Sequence, residues 1–245
     1  MEIYKKQFAE KCSENNITSS SSKETIATPL FANSDFFSGL THFAGFILSI
    51  AALVLLVVFS HLYGTLAHKI GFTIFGISLA LLYAASSIYH FFPRNRHQKK
   101  IFQRIDHAMV FVLMAGSYTP ICLTINNRAC GWGMLCMVWF VAIIGIALKL
   151  SGKKISEALS TSIYVCFGLL MLTAVKPLFY WLPKDAFGWL FGGGLLYLIG
   201  VIFYVIDDFV VRKYAFWMHE IWHLFVMAGS FCHFWCVLHY ILYLN

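Results

Sequence analysis

The chain reads as an all-α bundle of seven transmembrane helices, with its N-terminus cytoplasmic and its C-terminus outside. Three observations predict this. Only 12% of the 245 residues are charged and 60% are hydrophobic, whereas a water-facing surface usually needs about 25% charge. Apolar stretches of roughly 20 residues recur, the length a helix needs to cross about 30 Å of hydrocarbon. These stretches are solidly apolar instead of alternating, which selects helices over a barrel.

Taken in order, residues 1–35 are polar, with a serine run at 19–22 and no apolar h-region. They predict a flexible, retained cytoplasmic tail in place of a cleaved signal peptide, leaving the first span to direct insertion. Spans are predicted at 36–60, 70–92, 106–125, 130–149, 157–176, 187–207 and 216–243. Between them lie turn and charge clusters: His61 to Lys69, Pro93 to Arg104, Asn126 to Arg128, Leu150 to Ser156, Pro177 to Lys184, and Asp208 to Lys213. Connections this short force antiparallel neighbours, so residues 36–245 form one transmembrane domain.

The net charge of +7 could suggest nucleic acid, but the basic residues sit in these short loops, where they act as topology signals. Of the 18 lysines and arginines, only Lys69, Arg128, Lys176 and Lys184 fall on the side opposite the N-terminus. That asymmetry puts the N-terminus in the cytoplasm. Rhodopsins and G-protein-coupled receptors run the other way, and no lysine follows Lys213 to carry a retinal Schiff base. The seven cysteines contain no C-x-x-C pair and read as small buried hydrophobes.

Ionisable groups inside a bilayer are costly and mark function. His90 closes the second span, one turn after Ser86; Asp106 opens the third; His219, Glu220 and His223 lie in the first turns of the seventh. Alternating helix direction brings all of them to the cytoplasmic side. His219 and His223 are i, i+4 on one helix face. Three imidazoles from two helices predict a metal site of His90, His219 and His223, holding one Zn²⁺ with a bound water in the fourth position. Imidazole also suits copper, iron or nickel. Zinc lowers the pKa of its water to about 7 and polarises a carbonyl. Asp106 is the expected catalytic acid–base and Ser86 an orienting catalytic hydroxyl. His42, His233 and His239 are expected to be packing or hydrogen-bonding residues, His107 a cap or headgroup-facing residue, and Asp207 and Asp208 beside Arg212 a solvated helix end.

These residues also carry a resemblance. Ser86-x-x-x-His90, Asp106 and His219-x-x-x-His223 resemble the progestin and adipoQ receptor superfamily, most closely its bacterial hemolysin III branch. His-Glu-Ile-Trp-His-Leu-Phe-Val at 219–226, Gly-Ser-Phe-Cys-His-Phe-Trp at 229–235 and Thr41-His42-x-x-Gly45 look like that branch. Where the branch often has Asn four positions before the early His, this chain has Ser38. The resemblance runs from about residue 36 to the C-terminus. It implies seven helices in the bacterial plasma (inner) membrane, zinc on His90, His219 and His223, a water bridging the metal to Asp106, and Ser86 nearby.

Three functions follow as expectations. The first is a zinc-dependent lipid amide hydrolase of ceramidase-like chemistry, with membrane lipids as both surroundings and substrate. The second is a non-enzymatic membrane-homeostasis sensor or cytolysin with structural zinc. The third is an intramembrane metalloprotease, since His219-Glu220-x-x-His223 satisfies H-E-x-x-H with Glu220 as base. The longer metzincin form fails, because Val226 and Gly229 occupy its Gly and His positions. No nucleic-acid partner is expected.

Overall fold

The computed structural model describes residues 34–92, 95–153, 155–209 and 218–244. The expected tail falls, over residues 1–33, outside the described residues, as do Arg212 and the side chains of Asp207 and Asp208. The described elements are all helical: α1 (Ser34–Tyr63), α2 (Leu66–Phe91), α3 (Arg96–Thr124), α4 (Arg128–Leu150), α5 (Glu157–Leu169), α6 (Val175–Trp181), α7 (Lys184–Phe209) and α8 (Met218–His239). Short 3₁₀ segments at Leu170–Ala174 and Ile241–Tyr243 follow α5 and α8. α5, the first 3₁₀ segment and α6 make a single span, so seven helical stretches are long and apolar enough to cross a membrane. Leu48, Leu62, Phe140, Ile143 and Ile202 are among the many large apolar side chains facing outward. A soluble fold would bury such a belt. The chain is a multi-pass integral membrane protein.

α2 and α3 occupy the centre. Of the apolar window of α3, 67% is buried, against 22% for α1 and α4. Phe72 and Phe75 of α2 share one core with Phe111 and Ile121 of α3, Phe167 and Leu178. α1 packs on α2 and α8, α4 on α3, and α7 on α8. Backbones approach closely where a side chain is missing: a Cβ on Gly116 of α3 would come within 2.6 Å of the Ser78 Cβ on α2, the small-residue packing expected when lipid offers no hydrophobic drive between helices.

Two spans depart from the sequence reading. α3 begins at Arg96, ten residues before the predicted start, because Asn95 caps it by accepting from the Gln98 N–H at 2.9 Å. The charged stretch 96–104, expected in a loop, is therefore helix. The fifth span extends beyond the predicted 176 to Trp181, with Pro177 in the first turn of α6, where a missing N–H is tolerated. Where α5 tightens into the 3₁₀ segment, Tyr118 of α3 donates to the Gly168 carbonyl at 2.7 Å and accepts from the Met171 N–H at 3.1 Å. Backbone groups freed inside a membrane need such partners.

At the far end of the bundle, Thr65 precedes α2 and holds His68. The Thr65 N–H donates to His68 Nδ1 at 3.1 Å, and the Thr65 hydroxyl lies 2.7 Å from the same nitrogen. An accepting Nδ1 leaves the proton on Nε2, which donates to the Ile241 carbonyl at 3.0 Å. The beginning of α2 is thereby tied to the end of the chain.

The expectation of buried cysteines holds for Cys122, Cys232 and Cys236 and fails for Cys136 and Cys166, which are exposed. Thiols tolerate the lipid-facing surface as small apolar groups do.

Candidate metal centre

α2 ends where α8 begins, so the last turn of one lies beside the first turns of the other. There His90, His219 and His223 converge: one ligand nitrogen from each lies within 4.8 Å of the other two. The ring centroids of His90 stand 5.4 Å from His219 and 5.3 Å from His223, and those of His219 and His223 4.6 Å apart. The i, i+4 spacing on α8 and the antiparallel arrangement thus bring together the three predicted ligands.

Local partners fix the His223 ring. Its Nδ1 lies 3.3 Å from the Ser38 carbonyl and 3.3 Å from Thr41 Oγ1, while the Thr41 hydroxyl donates to the same carbonyl at 2.9 Å. A carbonyl only accepts, so Nδ1 carries the proton and Nε2 keeps its lone pair for a metal. This is the outer support expected of a metal-binding histidine, and three convergent imidazoles are a donor set that suits zinc. The residues fit a metal ion; the geometry does not choose which one.

Asp106 lies on α3 ten residues from the helix start, about 15 Å along its axis, which carries it inside the bundle to the level of the histidines. Its carboxylate lies close to Ser86, one turn before His90 on α2, and to His219. Ser86 is buried. Both residues lie near the three-histidine group. Glu220 points to α1: it is 6% exposed, and Ser38 Oγ donates to its Oε1 at 3.4 Å.

One residue was misread. His42, expected to be a packing or hydrogen-bonding residue without such company, stacks on His223 with centroids 3.6 Å apart and an interplanar angle of 17°. Its other neighbour is Tyr83, edge-on at 5.2 Å. Gly45 makes this possible, since a Cβ there would lie 2.9 Å from the Tyr83 ring. The Thr41-His42-x-x-Gly45 motif thus lines one wall of the centre. The signal was available: His42 begins the first span on the side where α2 ends and α8 begins, so the topology that groups the three ligands also groups it.

His233 and His239 lie apart from the centre. His233 bonds through Nε2 to the Leu190 carbonyl at 3.1 Å, and His239 stacks on Trp235 at 4.9 Å. His107, within α3 and so not a cap, is half-buried, with Nδ1 3.5 Å from Lys149 Nζ, and lies near His219.

The family model described as "Haemolysin-III related" matches residues 31–234. The chain is 42% identical over 203 residues to "Hemolysin-3 homolog" of Bacillus subtilis (strain 168), covering 83% of this chain and 92% of that one. It is 37% identical over 212 residues to "Hemolysin-3" of Bacillus cereus, covering 86% and 94%. A more distant relative is "Monocyte to macrophage differentiation factor" of Homo sapiens, 24% identical over 184 residues and 71% of each chain. With seven apolar spans and a family model matching most of its length, this chain belongs to the haemolysin-III-related family, the bacterial plasma-membrane branch of the progestin and adipoQ receptor superfamily.

Proposed function

We propose that this protein is a zinc-dependent hydrolase of lipid amides or esters, working at the cytoplasmic end of the bundle. The observation that carries the reading is the Asp106–Ser86 pair beside His219 of the three-histidine group. A site serving only to staple helices has no need of a half-buried carboxylate next to its histidines, and such a group in a membrane is costly.

His90, His219 and His223 would hold the ion. When bound, zinc supplies Lewis acidity, polarising a carbonyl and making water acidic enough to attack near neutral pH. Amide hydrolysis also requires one proton taken from the attacking water and one given to the departing nitrogen as the C–N bond breaks. The Asp106 carboxylate accepts the first and delivers the second. Ser86, beside that carboxylate, would donate to it and hold its orientation. The metalloprotease reading has less support, because Glu220 is bonded by α1 in the wall of the site.

The test is metal analysis of the purified protein together with turnover on a panel of ceramides, acyl amides and phospholipids. The wild type carries one zinc per chain and cleaves a lipid of this class. His90→Ala, His219→Ala and His223→Ala lose the metal and the activity together. Asp106→Asn keeps the metal and loses roughly 10²- to 10⁴-fold in rate, the usual share of an acid–base group. A zinc-loaded wild type that leaves the whole panel intact overturns the reading. The cytoplasmic placement is checked separately, by reporter fusions at the N-terminus and in the loop after Leu150.

A further inference from the structure

Besides the three predicted ligands, the centre contains a fourth imidazole whose purpose packing does not explain. His42 is 4% exposed, and neither of its ring nitrogens has a hydrogen-bond partner among the described residues. Burying a polar atom without a partner costs free energy comparable to a lost hydrogen bond, and here the cost is incurred twice on one ring. A phenylalanine would stack on His223 and meet the Tyr83 edge equally well, with no such cost.

The ring does not complete the metal's coordination. Nitrogen lone pairs lie in the ring plane, and the planes of His42 and His223 are nearly parallel at 3.6 Å. Their lone pairs run side by side instead of converging, and the group of nitrogens close enough to share an ion contains His90, His219 and His223 without His42. Yet His42 is near enough to His90 and His219 to be coupled to the charge of both. Its nitrogens therefore border the centre without belonging to the ligand set.

We infer that His42 is a hydrogen-bonding subsite of the metal centre, stacked in place by His223 and contacting an oxygen-bearing lipid head group, of amide, ester or carboxylate class, that reaches the metal. The inference builds on the hydrolase reading for the arrival of a lipid carbonyl. It assigns the ring to ligand recognition instead of to holding the ion.

The experiment uses the purified, zinc-loaded full chain and dodecanoyl hydroxamate, a single-chain lipid mimic bearing a carbonyl and a metal-seeking oxygen. Zinc affinity is read by chelator competition and probe affinity by calorimetry. His42→Phe keeps the stack, so its zinc affinity stays well short of the roughly ten- to hundredfold loss that follows removal of a ligand's supporting partner. Its probe affinity falls roughly tenfold or more, the loss of one or two buried hydrogen bonds. His42→Gln, which restores a donor and an acceptor without the ring, recovers part of that loss. His42→Leu, of similar bulk and without nitrogens, repeats the Phe result independently.

A Phe or Leu variant that binds zinc and probe as the wild type does overturns the inference. So does a Phe variant that fails to bind zinc, which would make His42 a servant of the ion, and so does a zinc-loaded wild type that ignores the probe. Probe binding that depends on His42 in a protein that hydrolyses no lipid upholds this subsite and removes the hydrolase.

Discussion

At the scale of single residues, the centre separates groups that face the metal from groups that hold those groups. Glu220 belongs to the second kind by its contact with Ser38. Glu220→Gln preserves the hydrogen-bonding shape, so the expected outcome is unchanged zinc content and a rate within about tenfold of the wild type, measured beside Asp106→Asn. The base of a metalloprotease would show the opposite pattern, with near-total loss of rate and metal retained. The three ligands were legible in the sequence because spacing and alternating direction alone determine their depth. The same reasoning gives the depth of His42 but not its stacking on His223, because a ring's neighbours across a helix interface depend on rotation about the helix axis. Span boundaries do not reveal that rotation. Ser38 was hidden for another reason: it holds His223 through its backbone carbonyl, a group every residue possesses.

At the scale of elements, the packing of α2 on α3 depends on what is missing between them. Gly116→Ala would drive a Cβ into Ser78, with Oγ and Cβ both well inside contact distance. The expected cost is about 1–3 kcal/mol, the usual range for overpacking, seen as a lower Tm in detergent. Gly133 on α4 has nothing within 4 Å of the same Cβ position. Gly133→Ala should therefore be neutral or slightly stabilising, by up to about 1 kcal/mol from helix propensity. Comparing the two melts separates crowding from propensity. The seven spans could be read from hydropathy because lipid demands them. The early start of α3 could not, since charged residues 96–104 carry no apolar signal and only the Asn95 cap shows that a helix begins there.

At the scale of the whole molecule, a metal on His90, His219 and His223 would link α2, at the centre of the bundle, to α8. Removing it with a chelator should lower Tm, and zinc in excess should restore it, because a ligand that binds only the folded form stabilises by mass action. Acid should act in the same direction. Protons and metal compete for the same imidazole lone pairs, so affinity falls as the pH is lowered. The zinc-dependent increment in Tm should be smaller in acid than in mildly alkaline buffer.

α2 receives partners from the final stretch of the chain along its whole length. His90 meets His219 and His223 at one end, Tyr83 donates to Ser230 at 2.8 Å in the middle, and His68 reaches the Ile241 carbonyl at the other. During synthesis the second helix enters the bilayer well over a hundred residues before these partners exist. Its buried polar groups acquire these partners only once α8 has been made. Metal capture by the three histidines would then wait for α8, and a nascent chain stalled before it has no complete centre.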